Sequence, residues 1–303
     1  MTNKYDKRSL PFGNVSAIAD NEVVSLLRSI TVDAVFDETV HEKFLADYRS
    51  WILSTKNNKI TGLDEYPYVC FSNGTTEAFD KFYSKHNQRR FRFYKGEFVY
   101  HRLSCRNYGY QWQYIEDDEI TANDAVIISF PFSDTGNKHI DMDRVLDLCD
   151  KLNVPVLIDC IYFGVCNNID FNFKRKCITE ITFSLSKSFS AHLRIGMRLS
   201  KIDDDDPLFV NNKIGYINRV SAGVGIKILE SFTPDYIFNK YRQRQLEYCN
   251  ILNVDPSNCV MFGLGDDRWK EYNRDRDTNR LSFHKFLASD NKNLITEIAD
   301  AKR

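Results

Sequence analysis

Apolar and polar positions along the chain fall into two regimes. Residues 1 to about 45 contain one helical stretch, near Asn21 to Ser29, and no strand pattern, so they read as an arm that packs on another surface. From about Leu45 the pattern changes to short apolar runs separated by helices. YVCF (68 to 71) precedes a turn and a helix through Ala78 and Phe82, and RFRFY (90 to 94) precedes a short helical stretch. AVIISF (125 to 130) leads through a turn into a helix from Asp141 to Lys151, whose Val145, Leu146 and Cys149 share one face. VPVLID (154 to 159), EITFSL (180 to 185) and a pair around RIGMRLS follow. Near-continuous apolar runs separated by helices predict strands buried on both faces of a mostly parallel sheet, and hence an α/β fold.

A long helix is predicted from Asn211 to Ser231. After Phe232 the texture changes: CVMFGLG and NRLSFHKFL read as strands flanking the charged stretch DDRWKEYNRDRD. The expected organisation is an arm (1–45), a large domain (46–231) and a small α+β domain (232–303). Asp203 to Asp206 reads as a solvated loop.

Composition narrows the function. The 303 residues carry 41 basic and 42 acidic side chains for a net charge of −1, which argues against a polybasic nucleic-acid or membrane-surface protein. Hydrophobic residues at 43% and aromatics at 14% supply a large core. No apolar stretch reaches the roughly 20 residues that span a bilayer, and MTNKYDKRSL precedes no signal-like apolar run, so a cytoplasmic protein is expected. The eight cysteines form no C-x-x-C pair and several lie in apolar runs, so reduced, buried thiols are expected. The histidines form no metal-ligand cluster. His139, Asp141 and Asp143 stand at a helix start, where capping explains them better than ligation.

In open α/β sheets ligands gather beyond the carboxyl ends of the strands, and the informative residues follow the apolar runs. Ser72-Asn73-Gly74-Thr75-Thr76-Glu77 opens a helix, where a glycine turn and free N–H groups suit an anion such as phosphate, or form an ordinary cap. Asp159 ends a buried strand three residues before Tyr162, and a carboxylate there needs a cation or donor. Ser184, Ser186 and Ser188 surround Lys187, with Arg194 seven positions on, which suggests an amine nucleophile beside a phosphate site. Ser184-x-x-Lys187 also fits the serine β-lactamase pattern, but its companion motifs are missing. Gly223-Val224-Gly225 lacks the strand and third glycine of a dinucleotide fingerprint and reads as a helix-packing site.

Together, in this order, the phosphate turn, strand-end aspartate and hydroxyl-flanked lysine resemble the fold-type I pyridoxal-phosphate enzymes. The likeness is to the class I/II aminotransferases, including histidinol-phosphate and aspartate aminotransferases, over about Leu45 to Leu287. It implies a three-layer large domain with a mostly parallel sheet, a small C-terminal domain, and pyridoxal 5′-phosphate as cofactor. SNGTTEAFD would put Gly74, Thr75 and Thr76 around the phosphate, and GEFVYHR would place Phe98 on the pyridine ring. Asp159 would pair with the ring nitrogen, Tyr162 would bond the phenolic oxygen, Lys187 would form the Schiff base, and Ser184, Ser186 and Arg194 would hold the phosphate. Ser133 in ISFPFSDTGNKH falls where the family has an asparagine. The Lys187 to Arg194 interval, SFSAHL, is one residue short and lacks the family's glycine. DTNRLSFHKFL points to Arg280, ahead of Arg274 and Arg276, as the clamp for a substrate carboxylate. LPFGN resembles a loop that borders the substrate pocket.

The resemblance implies transamination between an amino acid and a keto or aldehyde acceptor, in a homodimer with active sites at the interface, where the arm would pack, and with no metal. Decarboxylation or elimination with the same cofactor is the first alternative, and a non-catalytic homologue used for binding is the second. The chain is short for such a family, which implies a reduced arm and C-terminal domain.

Overall fold

A computed structural model describes residues 9–203, 205–274 and 278–302. The elements in chain order are α1 (Asn21–Ser29), α2 (Val40–Leu53), β1 (Lys59–Thr61), β2 (Tyr68–Ser72), α3 (Thr75–Lys85), β3 (Arg90–Phe93), α4 (Val99–Tyr108) and β4 (Trp112–Tyr114). Next come β5 (Asp124–Ser129), α5 (Met142–Leu152), β6 (Val156–Asp159), β7 (Asp170–Asn172), β8 (Ile178–Ser184) and β9 (Gly196–Ser200). The remainder is α6 (Pro207–Lys213), α7 (Arg219–Ser231), α8 (Tyr236–Leu252), β10 (Asp255–Pro256), β11 (Phe262–Gly265), β12 (Asn279–Ser282) and α9 (Lys292–Asp300).

The main sheet has the order β2-β9-β8-β6-β5-β3-β4. β8, β6, β5, β3 and β4 pair in parallel, while β9 runs antiparallel to β2 and β8. β5 and β6 are buried at every position, which explains their unbroken apolar sequence. Parallel strands share one carboxyl end, so Ser129, Asp159 and Ser184 all face one edge of the sheet, with Ser129 paired to Asp159 and Asp159 to Thr182. Residues 232–302 hold α8, the three-stranded sheet β10-β11-β12 and α9.

Three expectations change. The predicted helix from Asn211 to Ser231 is two helices, because Gly215 at φ +67° breaks it and Asn218 caps a new start through Ser221 N. The 203–206 stretch is not merely solvated: Asp206 caps α6 by accepting from Leu208 N and Phe209 N, and its other oxygen lies 2.6 Å from the buried Arg198; Asp204 is outside the described residues. Asp141 sits at the start of α5, but its carboxylate bonds Arg144 (2.6 Å) instead of capping the helix. Gly223 and Gly225 pack as expected, since a Cβ would strike Ala34 at the first and Phe44 at the second.

The described part of the arm packs on its own chain. Phe12 is fully buried among Phe286 (centroids 5.1 Å), Phe283 (5.8 Å), Tyr272 (5.9 Å) and Trp269 (6.0 Å), and its carbonyl accepts from Ser282 N of β12 at 2.9 Å. Residues 1–8 lie outside the described residues. Among the described residues no helix is long and apolar enough to cross a membrane, and all eight cysteines are buried and free.

Candidate active site

Gly74 turns the chain from β2 into α3 at φ +75°, a conformation costly for any residue with a Cβ. A Cβ there would lie 2.8 Å from the Arg194 guanidinium carbon, so only glycine lets Arg194 lie across the turn. Arg194 donates from Nη2 to Thr76 Oγ1. Ser184 Oγ and Ser186 Oγ stand 2.8 Å apart, and Ser184 also bonds Ile195 O (2.8 Å) and Ser186 N (3.1 Å). The interval lacking a glycine is accommodated by left-handed backbone at Ala191 (φ +43°) and Arg194 (φ +57°). Gly74, Thr76 and Arg194 are thus brought together, beside the free N–H groups that open α3.

Asp159 closes β6 and is buried. Its Oδ1 accepts from Ile161 N (3.1 Å), and Thr75, the first residue of α3, bonds the same carboxyl. Burial, reinforced by the negative charge of Glu97, pushes Asp159 well above the usual carboxylate range, against the pull of Lys187. Lys187 Nζ donates to Val15 O of the arm at 2.7 Å. Burial, with Arg280, Arg194 and Arg274 nearby, lowers its amine to about 8 despite Asp159.

Arg280 of β12 lies over the Phe262 ring (4.5 Å to the centroid). One of its nitrogens donates to Ser133 O, while its buried Nε has no partner. Arg274 donates to the same carbonyl (3.0 Å) and to Glu97 O (3.3 Å). Burial and the neighbouring Arg274 lower Arg280 to about 10. Arg276 is outside the described residues. Burial raises the Tyr162 phenol above its ordinary value, and the Ser133 side chain neighbours it. Phe98 is the least integrated of the predicted residues: it is 41% exposed and stacks on Tyr100 (5.8 Å, 13°).

Two contacts were not visible in the sequence. Glu97, next to Phe98, is buried and bonded to Ser129, and nothing local marks it beyond a glutamate beside a predicted site aromatic. Val15 meets Lys187 across 172 positions of sequence, and only the LPFGN likeness hinted at it.

The chain matches no protein-family model and no curated protein. Among solved structures it is similar to an aminotransferase from Anaerococcus prevotii at a TM-score of 0.67 and 12% identity, covering 96% of this chain and 90% of that one. Aminotransferase AspB from Helicobacter pylori gives a TM-score of 0.66 at 14% identity, covering 95% and 92%. The chain has the aminotransferase fold. L-threonine-O-3-phosphate decarboxylase from Porphyromonas gingivalis shares that fold at a TM-score of 0.61 and 14% identity, covering 96% of this chain and 97% of the decarboxylase. Each of these likenesses spans nine-tenths or more of both chains.

Proposed function

We propose that this chain is a pyridoxal-phosphate-dependent aminotransferase that moves an amino group between an α-amino acid and a keto or aldehyde acceptor. One observation carries the reading: Lys187, partly buried just beyond the carboxyl end of β8, has Asp159 at the same end of the neighbouring strand β6 and feels the charges of Arg194, Arg274 and Arg280. Pyridoxal phosphate, when bound, supplies an aldehyde that condenses with amines and a ring that takes up the electron pair left on a substrate carbon.

The residues fit such a group. Gly74 leaves open the space that a Cβ would take from Arg194, and Arg194 can meet a phosphate bidentately with Thr76, Ser184 and Ser186 beside it. Asp159 is a buried acid whose neighbouring cation is the lysine itself, so it is suited to keeping a proton on the ring nitrogen. Tyr162 and Ser133 form the hydroxyl pair for the phenolic oxygen, and Phe98 is the aromatic face for the ring. Lys187 Nζ, lowered to about 8, is poised near neutrality to carry the cofactor and to move a proton at the substrate α-carbon. Arg280, with its buried Nε unpaired, is the group for the substrate carboxylate.

Visible absorbance of the protein with added pyridoxal phosphate tests this. The expected result is a band that borohydride bleaches and that Lys187→Ala abolishes; a wild type without such a band overturns the reading. Decarboxylation is the second reading, favoured by the decarboxylase among the structural neighbours. Product analysis separates them, since carbon dioxide without a keto acid excludes transamination.

The reading includes a homodimer. Phe36 (84% exposed), Ile214 (70%) and Tyr216 (76%) lie on segments that meet at the start of α7, where Arg219 donates to Val35 O at 3.4 Å. Exposed apolar side chains grouped in this way suit an interface, and sedimentation of Phe36→Asp against wild type tests it: a dimer in wild type and a monomer in the variant are expected.

A further inference from the structure

Resting on the proposed function, we infer that Glu97 is a positioning residue that, through Ser129 and Ser133, orients Tyr162 and adds a second negative charge beside Asp159. The geometry is a continuous chain. The Glu97 carboxyl accepts from Ser129 N (2.8 Å), from Ser129 Oγ and from Phe98 N (3.3 Å). Ser129 Oγ in turn accepts from Ser133 N (3.1 Å), and the Ser133 side chain neighbours the Tyr162 phenol closely enough to act on it. Ser129 is also the direct cross-strand partner of Asp159. Arg274 ties Glu97 to Ser133 by donating to the backbone carbonyls of both.

A purely structural role would not require a carboxyl. One amide oxygen could receive the Ser129 donors without the cost of placing an acid in the interior next to another acid. Like charges held together in this way are a feature of sites that bind cations or tune protons. The titratable groups coupled to Glu97 through its charge are Asp159 from β6, Arg274 from the segment before β12, Tyr83 from α3 and Tyr94 after β3. Burial outweighs the donors and Arg274 and raises Glu97 to about 7, so its charge changes across the neutral range. The chain has a serine where the resembled family has an asparagine at 133, and Glu97 with Ser129 supplies the missing support from the other side of the turn.

An ionised Glu97 favours protonated forms of a cofactor held between Asp159 and Tyr162, and its removal disfavours them. The test is a spectral pH titration of protein loaded with pyridoxal phosphate. In Glu97→Gln the midpoint of the visible band is expected to fall by about half a pH unit or more. Glu97→Asp keeps the charge and is expected to hold the wild-type midpoint. Ser129→Ala, which disconnects Glu97 from Ser133, is expected to move the midpoint in the same direction as Glu97→Gln and carries the test if that variant does not fold. An unmoved midpoint in Ser129→Ala or in a folded Glu97→Gln overturns this inference alone, as does a Glu97→Asp midpoint displaced as far as that of the amide. A wild type with no visible band overturns both this inference and the proposed function.

Discussion

Two buried aspartates on neighbouring strands of one sheet have opposite fates. Asp124 opens β5 at the amino end of the sheet. It accepts from Arg90 Nε (2.8 Å), Arg92 Nη1 (2.7 Å) and Thr121 N (2.8 Å), and Arg92 is further satisfied by the carbonyls of Gln113, Tyr114, Asp118 and Glu119. Burial pulls Asp124 upward, but these hydrogen bonds and charges outweigh it and hold the carboxyl below its ordinary value. Asp159 closes β6 at the carboxyl end, where a second acid, Glu97, faces it, and burial raises it. Both carboxyls are shielded from solvent in one sheet, Asp159 the more deeply, and their partners differ. A buried charge that is fully paired belongs to the scaffold, and one left short of a cation is free to bind one.

The sharpest way to break this contrast is Asp124→Ala. It removes the buried counter-charge of the fully buried Arg92 and leaves only Asp118, 2.6 Å away on the other guanidinium nitrogen and half-exposed, so denaturant unfolding should report a loss of about 3 kcal/mol. Asp159→Asn should fall within about 1 kcal/mol of wild type in the same assay, because the raised carboxyl is already close to a neutral amide in its demands. The same variant should bind pyridoxal phosphate about tenfold more weakly or worse, measured by spectral titration, because a charge-assisted bond to the ring nitrogen is lost.

The smallest effect is one of pH, and its sign distinguishes the two ends. Glu97 is raised from 4.5 to about 7 by burial, so between those values the folded, cofactor-free protein holds a proton that the unfolded chain releases. Its contribution is therefore full below about 4.5 and fades as pH rises through 7. Asp124, lowered, contributes above its unfolded value, and that contribution is lost as pH falls through its folded one. Unfolding of Glu97→Gln across pH 5 to 8 should show a shallower downward slope than wild type, with the part due to the raised Asp159 remaining; equal slopes would place Glu97 with the scaffold.

Much of this was legible because strands buried on both faces write themselves as apolar runs: β5 and β6 were read to within a residue or two. Asp159, Lys187, Gly74 and Arg194 were legible for the converse reason, since polar residues ending such runs stand out. α8 was not identified, although Ile237, Tyr241, Gln245, Tyr248 and Leu252 are buried along one face. Polar and charged residues interrupt that stripe, and a buried glutamine bonded to the Ser257, Cys259 and Phe262 carbonyls sits in its middle. Glu97 was illegible in principle. Its burial depends on β5 and on Arg274, which lies 177 positions away in the chain.

The seat of Phe12 bears on the order in which the molecule assembles. Its four ring partners lie between Trp269 and Phe286, so a segment that emerges early in synthesis has no place to dock until nearly the whole chain exists. Closing so long a loop is entropically slow. The same segment delivers Val15 to Lys187, so the lysine gains its final neighbour in one of the last events of folding, and a nascent or C-terminally truncated chain carries the sheet without a finished site.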